Sequence, residues 1–73
     1  MEYRDAYQYV VEHGKRIGQE AKDGHPAARD IIGYYKMHSD CPGDPGAKMF
    51  FTKAVAQYVQ MYHAVSDQEN ARV

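Results

Sequence analysis

One cysteine, no tryptophan and three prolines in 73 residues exclude several kinds of small protein at once. With Cys41 alone there is no internal disulfide framework, the usual staple for so short a chain. His38 and Cys41 have a His-x-x-Cys spacing, which is half a zinc site, and no second ligand pair follows. The expectation is therefore no metal and no cofactor. Nine basic and ten acidic residues leave a formal net charge of −1, too little of either sign for wholesale binding to nucleic acid or anionic lipid. Long apolar runs are missing too. The stretch without charge from Ala54 to Ser66 contains Gln57, Gln60 and His63, so nothing reads as a membrane span. The opening Met1-Glu2-Tyr3-Arg4-Asp5 has no apolar leader core, and the expected location is cytoplasmic.

Catalytic patterns are equally scarce. Gly14-Lys15-Arg16-Ile17-Gly18 has a superficial likeness to a phosphate loop, but it lies inside a helical pattern with no strand before it. Read as a calcium loop from Asp40, the acidic turn puts Phe51 where a bidentate glutamate is required. Cys41 precedes a proline, with His38 three residues back and no glycine-rich oxyanion signature beside them. The chain is not expected to be an enzyme. A helix-turn-helix fits poorly as well, because the connection from Asp40 to Gly46 holds Pro42 and Pro45 where that motif needs a tight turn.

What the sequence does have is helical periodicity and tyrosine. Seven Tyr and two Phe suit surfaces that are half buried or meet a partner, since a phenol covers apolar area and keeps a polar tip. The first helix is predicted over about Glu2 to Lys22. Tyr3, Ala6, Tyr7, Val10, Val11, Gly14, Ile17, Gly18 and Ala21 share one arc, and Tyr3, Tyr7, Val10, Gly14, Ile17 and Ala21 trace a helix-pair seam within it. Glu12 with Arg16 and Arg16 with Glu20 read as exposed i,i+4 pairs. Gly14 and Gly18 mark either a close approach by another helix or a locally weakened one. Asp23-Gly24-His25-Pro26 stops the segment, with Gly24 suited to a left-handed position.

A second, shorter helix is predicted from about Pro26 to His38. Ala27, Ala28, Ile31, Ile32, Tyr34, Tyr35 and His38 line its apolar face, and His38 there reads as a hydrogen-bonded core histidine. Cys41-Pro42-Gly43-Asp44 fits a type II turn, Asp44 an N-cap and Pro45 the first helical position. The third helix then carries Ala47, Phe50, Phe51, Ala54, Val55, Tyr58, Met61, Tyr62 and Val65 on one face. The expected architecture is all-α and single-domain over residues 1–66, with 67–73 a fraying tail. It pairs two long antiparallel helices and lets the short middle one close an end or a flank.

Both long helices carry more apolar surface than such a unit covers, including a second patch at Met49, Ala56 and Val59. Self-association as a homodimer or higher oligomer follows, with Gly14, Gly18, Met49, Ala56 and Val59 as interface candidates. Arg4, Lys15 and Lys22 fall on one line along the first helix beside Tyr7, an edge able to meet a small anionic ligand. The function these readings favour is stoichiometric binding to a protein partner, as a regulator or inhibitor of the kind phages and mobile elements encode in very short reading frames. The alternative is an oligomeric module that captures a small anion, such as a nucleotide, between subunits.

Overall fold

The two connections between helices fall on residues with a local reason to be there. The computed structural model describes residues 1–63 and contains α1 (Tyr3–Lys22), α2 (Pro26–Asp40) and α3 (Pro45–Tyr58), followed by a π turn at Val59–His63. The far end of the expected third helix, at Val65, and the expected tail 67–73 lie outside the described residues.

The first connection closes with a paired set of backbone bonds. His25 N–H donates to Glu20 C=O at 2.9 Å and Gly24 N–H to Ala21 C=O at 3.1 Å, while Gly24 takes φ +99°. That pairing is the Schellman arrangement, which satisfies carbonyls that the helix end leaves open, and it needs a residue without a Cβ at Gly24. His25 then caps α2 from the other side: its Nδ1 accepts the Ala28 N–H at 3.3 Å, with Pro26 at the first helical position. In the second connection Asp44 N–H donates to Cys41 C=O at 3.0 Å, so the turn forms as expected. Its type does not. Among the described residues only Gly24 has positive φ, and a type II turn would require it at Gly43. Asp44 is the N-cap, its Oδ1 accepting the Gly46 N–H at 2.9 Å.

The expected antiparallel pairing of the two long helices is corrected by the structure. Tyr3, at the start of α1, meets Phe51 near the start of α3, with ring centroids 5.9 Å apart. At the opposite end Tyr58, closing α3, donates to Glu20 near the end of α1. α1 and α3 therefore run parallel. It is α2 that is antiparallel to both, with His25 against Tyr58 and His38 against Tyr3 and Phe51. The reason is that each short connection, 23–25 and 41–44, reverses the chain, so two reversals return α3 to the direction of α1. At 1.5 Å per residue the 15 residues of α2 span about 22 Å, enough to carry the chain back to where it began. The middle helix is thus a full member of an up-down-up bundle rather than a flank.

The core is made of Ala6, Ile17, Ala28, Ile31, Phe51, Ala54, Val55 and Tyr58, drawn from all three helices. α1 presents a different stripe from the expected seam. Tyr3, Ala6, Val10, His13 and Ile17 turn inward, whereas Tyr7, Val11 and Gly14 are exposed. The helix is also kinked at His13 (φ −117°, ψ 20°), immediately before the weak helix former Gly14. On α3 the π turn slips the helical phase, so Met61 and Tyr62, expected on the buried face, are exposed.

Candidate functional site

Three arrangements of side chains could carry function: a polar network inside the bundle, a cavity at its α1–α3 end, and an apolar face on α1 and α2.

The network joins α1 to the last turn of α3. Arg16 donates to the Tyr9 hydroxyl, its guanidinium lies 5.7 Å from the Tyr9 ring centroid and 5.9 Å from that of Tyr58, and Tyr58 donates to Glu20. Tyr58 is fully buried, and its phenol is pushed up to about 12, first by burial and then by the bond to Glu20. Arg16 and Glu20, expected as an exposed ion pair, are half buried, and the partners they use are tyrosines. The sequence signal was faint: Tyr9, His13, Arg16 and Glu20 recur along one helical line on the side that reads as polar. Tyr3 and His38 make a smaller bridge at the other end, with Tyr3 Oη and His38 Nε2 hydrogen-bonded at 2.6 Å. His38 is hydrogen-bonded, as its position on the apolar face implied, but it is half buried beside the core rather than within it, and its Nδ1 makes no hydrogen bond. None of these groups except Tyr3 borders the cavities described next. Their chemistry is that of a clasp which holds polar atoms inside a small core.

The cavity, of about 490 Å³, is lined by Met1, Tyr3, Pro45, Lys48, Met49, Thr52, Lys53 and Ala56. Lys48 Nζ lies 4.6 Å from the Tyr3 ring centroid, a cation–π contact that holds one ammonium over the apolar floor. Met49 and Ala56, two of the expected interface residues, border this space, and Met49 is 64% exposed. Val59, the third member of that patch, instead packs against the core.

The basic edge of α1 does not form a single site within one chain. Arg4, Tyr7, Lys15 and Lys22 are all exposed. Arg4 and Tyr7 border a shallow hollow of about 410 Å³ with Tyr3 and Gln8, and neither Lys15 nor Lys22 reaches it. Along the helix Arg4 and Lys15 stand about 16 Å apart and Lys15 and Lys22 about 10 Å, too far for two of them to grip one phosphate.

The apolar face is the third feature. Tyr7 and Tyr35 stack across the α1–α2 seam with centroids 6.3 Å apart. Val11 lies one turn beyond Tyr7 and Ile32 one turn before Tyr35, so the antiparallel helices place all four on one surface. Exposure is 42% at Tyr7, 63% at Val11, 42% at Ile32 and 36% at Tyr35. Beyond the kink at His13, Gly14 is exposed and Gly18 half buried. A Cβ built at either glycine meets nothing within 4 Å, so the close helix approach expected there is not made inside this chain. No helix among the described residues is long and apolar enough to cross a membrane. No protein-family model matches the chain, and no curated protein or solved structure resembles it.

Proposed function

We propose that this chain is a small helical interaction module that acts without a catalytic step, by associating with itself and presenting the assembled surface to a protein partner as a regulator or inhibitor. The observation that supports the reading is the uncharged face formed by Tyr7, Val11, Ile32 and Tyr35. It leaves four large apolar side chains of α1 and α2 partly in water, and their contact with water is unfavourable. Aromatic anchors on a rigid helix pair, bordered by polar side chains, also match the anatomy of a protein interface.

The cavity between Tyr3, Lys48 and Lys53 favours a second reading, capture of a small anion. Its apolar walls with two ammonium groups at hand suit a planar group that bears a carboxylate or phosphate. That reading moves the ligand away from Arg4, Lys15 and Lys22 to the opening turns of α3.

Thermal unfolding separates the two. An associating chain gains stability as its own concentration rises, because the assembled native state is favoured by mass action. A midpoint that climbs over a hundred-fold concentration range, and does not respond to a panel of nucleotides, is the outcome expected for the first reading. A midpoint indifferent to protein concentration but raised by one of the anions would replace it with the second.

A further inference from the structure

We propose that His25 is a proton-sensitive latch: with Nδ1 bare it ties the start of α2 to the π turn at Val59–His63, and on protonation it releases both. The first tie is the cap. His25 Nδ1 accepts the Ala28 N–H at 3.3 Å, while the residue's own N–H donates to Glu20 C=O at 2.9 Å. The second tie is aromatic. The His25 ring stands edge-on to Tyr58, with centroids 5.7 Å apart, and to Tyr62 at 4.6 Å. One imidazole thus joins the end of α1, the start of α2 and the π turn that follows α3. The side chains usual at a capping position, those of Ser, Thr, Asp and Asn, do not change charge between pH 5 and 8, and histidine does.

The chemistry of the cap decides the direction. A backbone N–H can only donate, so an imidazolium, with hydrogen on both nitrogens, must give up Ala28. It also places positive charge at the N-terminal end of α2, where the helix already presents unmatched N–H groups. His38 is the contrast at the other end of α2. Its partner is the Tyr3 hydroxyl, which accepts as readily as it donates, and its place in the last turn suits a cation. Protonation there exchanges donor and acceptor, whereas at His25 it breaks the contact. The carboxylates nearest the latch have other partners: Glu20 of α1 accepts from Tyr58, and Asp23 in the connection accepts from Gln19 at 3.1 Å. Arg16 of α1, 5.9 Å from the Tyr58 ring centroid, and His63 of the π turn, 4.7 Å from it, oppose a further positive charge. Arg29 and Asp30 of α2 are exposed and opposite in sign. Cation–π attraction to Tyr58 and Tyr62 favours the imidazolium, but at a half-buried ring it is weaker than the cap and the helix-end charge together.

The unfolded chain takes up the proton with no cap to lose, so acid favours release, and stability falls as pH is lowered from about 7.5 to about 5. Two measurements on the full chain test the latch. Urea unfolding at one fixed, low protein concentration compares the wild type with His25→Asn, whose side-chain oxygen caps a helix and does not titrate. Between those pH values the wild-type unfolding constant is expected to rise about five-fold more than that of the variant, the typical weight of one cap. The second measurement needs no variant. The Ala28 N–H belongs to the first turn of α2, where a helix cannot satisfy its own donors, so its protection from hydrogen exchange depends on His25. Corrected for the intrinsic rate, that protection should drop about five-fold over the same range in the wild type. Equal pH responses in the wild type and His25→Asn, or an Ala28 amide as well protected at pH about 5 as at about 7.5, would overturn the latch.

Discussion

At the scale of single residues, the positions whose role depends on immediate chain neighbours were the ones legible in the sequence. Gly24 takes the left-handed turn and Asp44 the N-cap because both jobs are decided within a few residues. Asp44→Ala is accordingly expected to cost about 1 kcal/mol in chemical denaturation, through the Gly46 N–H it leaves unmatched. Arg16, Glu20 and Tyr58 were not legible as a network, because Tyr58 reaches Arg16 and Glu20 from the far end of the chain, and the i,i+4 spacing on α1 suggested surface ion pairs. Their energetic signature is alkaline. Tyr58 is held neutral, its phenol raised from an ordinary 10.0 to about 12, so its contribution is complete below pH about 10 and is lost as pH rises toward about 12. Urea midpoints should fall across that window. Tyr58→Phe should flatten the fall while starting about 1–2 kcal/mol lower, because Glu20 loses its donor.

At the scale of elements, the three helices and the two turns between them followed from capping residues and period alone. Their mutual arrangement did not. The parallel course of α1 and α3 depends on both short connections reversing the chain fully, and local signals mark where a turn falls without fixing the angle at which the next helix leaves it. The face of α1 was misjudged for a related reason. Periodicity identifies an apolar arc wider than one neighbour needs, and which part of it is buried depends on where α2 and α3 approach. Here they approach from the side of Ala6, His13 and Ile17, and the other part of the arc stays in water. The glycines on that exposed part give a test in which propensity and packing act in opposite directions. With no neighbour inside the chain, Gly14→Ala should stabilise the isolated fold by up to about 1 kcal/mol. Gly14→Leu should leave helicity by circular dichroism and the unfolding midpoint unharmed, and a loss of stability would mean that a neighbour packs closely there within the chain.

The whole molecule is a bundle whose interior is fully used and whose surface is not. Phe51, Val55, Tyr58, Ile17 and Ile31 are the largest side chains completely out of water, while Tyr7, Val11, Met49, Phe50 and Met61 remain substantially in it. Phe50 and Tyr7 each stack on a tyrosine of α2, Tyr34 at 5.7 Å and Tyr35 at 6.3 Å, whereas Val11 has no such ring against it.

Sedimentation equilibrium of the wild type beside Val11→Glu tests the central claim most directly. The wild type is expected to move from its 8.3 kDa monomer toward twice that mass over micromolar to hundred-micromolar concentrations, and Val11→Glu, equally helical, to stay at 8.3 kDa throughout. A wild type that remains a folded 8.3 kDa species at the highest concentration, or a Val11→Glu chain that dimerises as readily, would contradict it.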